Sequence, residues 1–239
     1  MTSIGRSLAY ALANVLHPRM IWLMVWPLVL ALGAWGTLAI VFWTQLALAL
    51  AEWLQQGLAQ APFIGDWDFT TATVFLAKVL ILVMLVPLIQ LTAVLILSIF
   101  GLPSMVAYVA ERAYPGLERR RGGSFAGSVW NGVVGLLGLA GLGLASIPLW
   151  IFPPLWPLIP VAILGWVNQR VLRYDALAEH ASAEEMRRAF GARIGALYVM
   201  GVVLALAAYI PLIGFFAPVL VGLAFVHYLL GALQEARPS

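Results

Sequence analysis

The sequence predicts an all-α integral membrane protein with two long transmembrane helices and two proline-bent helical hairpins. Hydrophobic residues make up 63% of its 239 residues and charged residues only 10%, whereas soluble domains are roughly 45–50% apolar and about 25% charged. Two apolar segments exceed the roughly 20 residues that cross a bilayer. Prolines cluster in the later apolar segments, where a regular helix cannot continue. These features favour a single membrane domain over residues 1–239.

The segment 1–19 is mildly amphipathic. A helix here would place four apolar side chains on one face: Leu8, Leu12, Val15 and Leu16. We therefore expect an interfacial helix lying on the membrane surface, with a frayed terminus as the alternative.

Residues 20–51 predict the first spanning helix. The segment has no charged residue before Glu52, and at about 1.5 Å per residue it is longer than a bilayer core of about 30 Å. It is also too long for the apolar region of a signal peptide, which has about 7–15 residues. We expect an uncleaved helix that tilts or projects beyond the core and is kinked at Pro27.

The interval 52–73 contains no lysine or arginine. It mixes acidic with aromatic residues: Glu52, Asp66, Asp68, Trp53, Phe63, Trp67 and Phe69. That mixture is typical of an aromatic belt at a membrane surface. Residues 74–100 predict the second spanning helix. We expect a break at residues 101–103 (Gly-Leu-Pro), helix again to about Tyr114, and a basic loop over 111–124.

Residues 125–167 predict the first hairpin. Glycine recurs at every third position: Gly132, Gly135, Gly138 and Gly141. Small residues permit close helix approach. Prolines then crowd together: Pro148, Pro153, Pro154, Pro157 and Pro160. The leg after them, 157–167, is too short to cross a bilayer, so we expect a re-entrant hairpin with its bend inside the membrane.

Residues 168–193 predict a polar cytoplasmic helix, in which Ser182 and Glu185 have the spacing of a capping box. Residues 194–232 then repeat the hairpin plan around Pro211 and Pro218. Two interpretations of this segment are open: a second hairpin that enters one leaflet, or two full spans.

The basic residues predict an orientation. Twelve of the thirteen lie in the N-terminal segment, the 111–121 loop, the 168–193 interval and the C-terminal tail. The positive-inside rule places all four regions, and hence both termini, in the cytoplasm. The 52–73 interval is then periplasmic.

No motif of an enzyme is present. The chain has no cysteine, so disulfides and thiolate sites are excluded. The three histidines are far apart, and no nucleophile elbow, P-loop or metal-ligand spacing occurs. We predict no catalytic residue, no metal and no cofactor. The net charge of +3 is better explained by membrane orientation than by nucleic-acid binding.

Two arginines are candidate anion contacts. Arg19 lies just before the first span, where the positive end of a helix dipole favours anions. Arg112 precedes the basic loop, whose arginines at 119–121 either bind an anionic solute or touch lipid headgroups as a topology signal. His227 is the sole ionisable residue in the last apolar leg, which indicates a pore-lining or pairing role, or else a position at the interface.

A charged network is also predicted on the cytoplasmic side. Glu111 and Arg112 are expected to pair there with Arg170 or Arg173. The alternative is a solvated surface on which such pairs contribute little.

The order of these elements resembles the CysZ-like family of etoposide-induced-type membrane proteins. Four motifs carry the resemblance: His17-Pro18 with Pro27-Leu28, Glu111-Arg112 after Pro103, Arg173-Tyr174-Asp175, and Tyr209 to Ile213 with Pro218. The resemblance covers most of the chain. One departure occurs after Pro18, where the family has a sulfate-associated Gly-Leu-Arg stretch and this chain has Arg19-Met20-Ile21.

The resemblance implies an oligomeric permease in the bacterial inner membrane, with two spanning helices and two hemi-penetrating hairpins. Sulfate is the substrate that it implies first, and Arg19, then Arg112, are the expected anion contacts. The partners are then the lipid bilayer, a small inorganic anion and further copies of the chain. A different class of function fits as well: a scaffold that organises lipid or a protein complex and transports nothing.

Overall fold

A computed structural model describes residues 3–59 and 70–237, and this part of the chain is helical without strands. Seven α-helices run in order: α1 (Ile4–Asn14), α2 (Pro18–Ala59), α3 (Thr70–Ala113), α4 (Phe125–Ala145), α5 (Leu158–Leu177), α6 (Ala183–Ala207) and α7 (Pro211–Ala236). Two short 3₁₀ helices, Ile147–Ile151 and Pro153–Leu155, connect α4 to α5. The predicted all-α class is confirmed.

Several helices are long and apolar enough to cross a membrane. Within the described ranges there are five: Pro18–Leu58, Phe125–Ala145, Pro153–Leu177, Ala183–Ala207 and Ile213–Ala236. They expose many large apolar side chains, as lipid-facing helices do. The multi-pass membrane class therefore stands on length, composition and exposure together.

The chain divides into two compact units. The larger unit joins Met1–Met24 with Ser98–Ser239, and the smaller unit is Val25–Leu97. In the smaller unit the indole of Trp35 donates a hydrogen bond to the Thr92 hydroxyl at 2.9 Å. Interhelical hydrogen bonds of this kind help to hold membrane helices together.

In the larger unit α5 packs against α4, α6 and α7, and α1 packs against α7. Helix α7 is the most buried of the five candidate spans. Close approach of α5 and α6 depends on glycine, because a Cβ on Gly201 would lie 2.5 Å from the carbonyl oxygen of Gly165. Gly135 and Gly138 likewise pack against α5 side chains, whereas Gly132 and Gly141 face open space. Half of the predicted glycine series thus serves helix packing.

The predicted polar helix over 168–193 is wrong in its bounds. Helix α5 continues to Leu177, a turn follows, and α6 begins at Ala183. The reason is local, since Ser182 and Glu185 form the predicted capping box and so fix a helix start there. The polar stretch is therefore divided between the two hairpins: its first part ends α5, and its second part begins α6.

The predicted break at residues 101–103 is also absent, because α3 is continuous to Ala113. Proline removes one backbone donor from the helix. The Ser104 hydroxyl donates to the carbonyl of Phe100 at 2.9 Å, and Leu102 is buried. Packing and this side-chain bond hold the helix through the proline.

Helix α1 is present, but its buried face differs from the predicted apolar face. Ser7, Ala11 and Val15 are buried, whereas Leu12 and Leu16 are exposed. The interfacial position of α1 stays a prediction. The predicted aromatic interval falls largely on residues 60–69, which lie outside the described residues.

Candidate functional site

The start of α2 forms one wall of a small pocket in the larger unit. The His17 carbonyl accepts hydrogen bonds from the backbone of Met20 and Ile21, which begins the helix. The pocket has a volume of about 310 Å³. Its lining is Arg19, Met20, Trp22, Leu23, Ser104, Ala107, Tyr108 and Glu111. The Arg19 guanidinium thus lies at a helix N-terminus, an arrangement that favours a small anion.

Arg19 is only weakly neutralised in this pocket. Its Nη1 lies 3.8 Å from Oε2 of Glu111, and both side chains are mostly exposed. An exposed pair at that distance contributes little. The guanidinium is therefore available to a competing anion.

Arg112 does not line this pocket but contacts Tyr108, which does. Its guanidinium lies over the Tyr108 ring, 5.7 Å from the centroid, and the ring also meets His17 at 5.1 Å. The Tyr108 hydroxyl donates to Oδ1 of Asn14 at 2.8 Å. One buried tyrosine therefore positions Arg112 beside the pocket that Arg19 lines. Sequence patterns gave no signal for Tyr108.

The predicted pairing of Glu111 or Arg112 with Arg170 or Arg173 is not found among the described residues. Glu111 pairs with Arg19 instead. Arg170 and Arg173 lie on α5 and bond to side-chain amides of α4 and α5. The arginines of the 168–193 interval belong to a different helix pair from the end of α3, which explains the error.

His227 lies in a polar cluster beneath α1. Its Nδ1 is 3.0 Å from the Ser7 hydroxyl and its Nε2 is 3.3 Å from the Tyr114 hydroxyl, which also donates to the His227 carbonyl. The Tyr10 ring stacks on the imidazole at 4.3 Å. Burial raises the pKa of Tyr114 to about 12 and also raises that of Tyr10, so both phenols are neutral. These contacts of His227 fasten α1 to α7, and its functional role stays a prediction.

The basic loop is tied down by a network that sequence patterns did not reveal. Glu185 accepts from Arg120 at 2.9 Å and from Arg237 at 3.0 Å. Arg237 also donates to the carbonyls of Glu118 and His180. Arg119 pairs with Glu179 at 3.1 Å. These arginines hold the loop and the C-terminal end of α7 against the α5–α6 turn.

No group of three or more His, Asp or Glu side chains able to hold a metal occurs in the described part of the chain. The polar side chains that line the Arg19 pocket are Arg19, Ser104, Tyr108 and Glu111. Of these, the Arg19 guanidinium can bind an anion in competition with the Glu111 carboxylate.

A family model described as sulfate transporter CysZ/etoposide-induced protein 2.4 matches residues 7–218, which is most of the chain. No curated protein and no solved structure matches the chain.

Proposed function

Because the chain belongs to the sulfate transporter CysZ/etoposide-induced protein 2.4 family, we propose that it is a membrane permease or channel for a small oxyanion, with sulfate as the first candidate substrate. The multi-pass helical structure suits that role. We place it in the bacterial inner membrane as a homo-oligomer with both termini in the cytoplasm, as the distribution of basic residues and the family resemblance suggest.

The observation that carries this proposal is the Arg19 pocket. It places a weakly paired guanidinium at the positive end of α2. The forked N–H donors of arginine match the oxygens of a tetrahedral anion. Broken helices whose ends face a substrate are a common way for transporters to hold anions. Arg19 is the proposed primary contact, and Arg112 a supporting positive charge.

The hairpins are proposed to form the passage. Asn131 of α4 donates to the Val171 carbonyl of α5 at 2.8 Å, which sets the two helices in register. The polar residues from 168 onward therefore lie beside the first turns of α4. The fully apolar part of α5, 158–167, is about 15 Å long, roughly half of a bilayer core. This register supports a hairpin that enters one leaflet.

The test is uptake of radiolabelled sulfate into proteoliposomes, with Arg19→Ala as the variant. We expect saturable uptake that selenate blocks and chloride does not, and a loss of about tenfold or more in Arg19→Ala, as removal of one charged contact commonly produces. Arg188→Ala is the matched control, because Arg188 is exposed and pairs with Glu184 one helical turn away. Equal uptake by all three proteins would reject Arg19 as the contact, and no uptake by any would reject the permease.

A second candidate is a lipid-organising scaffold, and one observation favours it. The bend between α4 and α5 exposes Trp150, Phe152 and Trp156. Aromatic side chains of this kind insert at membrane interfaces. Reshaping of vesicles by protein that passes no anion would support the scaffold.

A further inference from the structure

We infer that Arg170 and Arg173 on α5 form a second oxyanion site, separate from the Arg19 pocket. The site is built to bind a tetrahedral oxyanion, either free sulfate or phosphate or the phosphate of a lipid headgroup. The role of this site in the path of a permeating anion rests on the proposed function. Its ability to bind an anion is argued from its geometry alone.

The two arginines share one side of α5. Residues three apart on a helix are neighbours, so the two positive charges occupy adjacent positions of one helix face. Both side chains are half-buried. Two like charges are thus held together in a partly desolvated place, which is unfavourable unless a negative charge joins them.

Neither arginine has a carboxylate within ion-pair distance among the described residues. Arg170 donates to Oδ1 of Asn131 at 2.6 Å, and Arg173 donates to Oε1 of Gln169 at 3.2 Å. Both amides are almost fully buried. The nearest acid in sequence, Asp175, forms no ion pair with either arginine, and its buried Oδ1 has no hydrogen-bond partner in the part of the chain that the structure describes. Amide oxygens orient the guanidinium groups without neutralising them.

Unused donors remain on these arginines. The buried Nε of Arg173 has no hydrogen-bond partner, and its guanidinium lies over the Phe190 ring at 4.9 Å. A guanidinium carries five N–H donors in a planar fork that matches an oxyanion. Since a buried donor without a partner is unfavourable, an oxyanion would satisfy both the spare donors and the charge.

The place in the fold suits a stage of transport. Arg170 is level with Asn131, about two turns into α4, at the boundary between the polar and apolar parts of the first hairpin. An anion bound there would lie about two turns beyond the start of α4 and would still be surrounded by polar side chains. A site of this kind lowers the barrier to entering the apolar region.

The experiment measures binding apart from transport. Delipidated protein in neutral detergent is heated in buffers of equal ionic strength that contain sulfate, phosphate or chloride. We expect sulfate or phosphate to raise the unfolding temperature relative to chloride, as any ligand of the folded state does. In the double variant R170Q/R173Q we expect the sulfate concentration that gives half of the full stabilisation to rise tenfold or more.

A merely structural role predicts something else. If the two arginines only held the fold together, R170Q/R173Q would unfold at lower temperature in chloride. We expect an unchanged or higher unfolding temperature in chloride, because the variant removes two unneutralised charges. Arg19→Gln separates the two sites, since it should leave the larger part of the sulfate effect on stability in place. An R170Q/R173Q protein that keeps the full sulfate effect would overturn the inference.

The remaining outcomes distinguish a free anion from a lipid headgroup as the ligand, and the binding site from the proposed permease. Stabilisation by a phosphate-bearing lipid but not by sulfate or phosphate ions would assign the site to a headgroup. Sulfate binding that depends on both arginines, in protein that shows no flux, would keep the site and remove the permease. Flux that depends on Arg19 alone, with no effect of R170Q/R173Q on binding or uptake, would support the permease and reject the second site.

Discussion

Two groups of arginines in the larger unit differ in how they are neutralised. At the α5–α6 turn, Arg120 and Arg237 share the carboxylate of Glu185. On α5, Arg170 and Arg173 have only amide acceptors. The arginines paired with carboxylates fix the loop and the end of α7. The arginines without carboxylate partners keep an unneutralised positive charge. The difference separates side chains that stabilise the protein from side chains that can bind an anion.

The largest effect is expected from removing the shared carboxylate. Glu185→Ala leaves Arg237 buried without its partner and also abolishes the capping box of α6. Breaking a buried ion pair costs about 3–5 kcal/mol, and partial exposure should bring the loss to the lower end of that range. Thermal unfolding in detergent measures it. Glu184→Ala is the control, because its exposed pair with Arg188 should contribute about 0.5 kcal/mol or less.

Helix contact in the same unit gives the next effect. Gly201→Val places side-chain atoms against the Gly165 backbone. Overpacking of a close contact costs about 1–3 kcal/mol. The unfolding temperature should fall clearly, while Gly132→Val, at a position that faces open space, should leave it nearly unchanged. Equal stability of the two variants would show that α5 and α6 are not in contact.

A smaller effect should depend on pH. Burial lowers the pKa of His180 below its ordinary value near 6.5, aided by Arg119 and Arg237 and opposed by Glu179. The unfolded chain therefore binds the proton more readily, so stability falls as pH drops below about 6.5. The unfolding temperature of the wild type should fall when the pH is lowered from 7.5 to 5.5, and that of His180→Asn should fall less. A fall as large in His180→Asn as in wild type would show that another group causes the pH dependence.

The smallest effect is expected from the unneutralised pair itself. Replacing the charge of Arg173 while keeping its apolar stem, as in Arg173→Met, should lower stability in chloride by about 1 kcal/mol, because the buried Gln169 oxygen loses a donor but no ion pair is lost. Arg237→Met should be far more harmful, since Glu185 and two carbonyls lose a donor. The same measurement of unfolding temperature covers both. A large loss in Arg173→Met would show that this pair also stabilises the fold.

Much of the architecture follows from local sequence. The long apolar segment 20–51 predicted a helix that is long and apolar enough to cross a membrane, and Ser182 with Glu185 predicted a helix start that the structure contains. The predicted span 74–100 lies within α3, which is not among the candidate spans of the described residues. The unbroken course of α3 did not follow from the sequence, because packing decided whether Pro103 interrupted the helix.

The site was predictable only in part. Arg19 was found because it lies beside a helix start, which is a local signal. Tyr108, Tyr114 and the pairing of Glu185 with Arg237 depend on contacts between segments far apart in the chain. No periodicity or spacing encodes such contacts. The missing counter-ion of Arg170 and Arg173 is likewise visible only once their neighbours are known.

The most direct measurement of the central claim is radiolabelled sulfate uptake into proteoliposomes by wild type, Arg19→Ala, R170Q/R173Q and Arg188→Ala, each shown to be folded and inserted. The account predicts uptake by wild type and Arg188→Ala, and at least tenfold less by each of the other two. Wild-type protein that takes up no more sulfate than empty vesicles would contradict it.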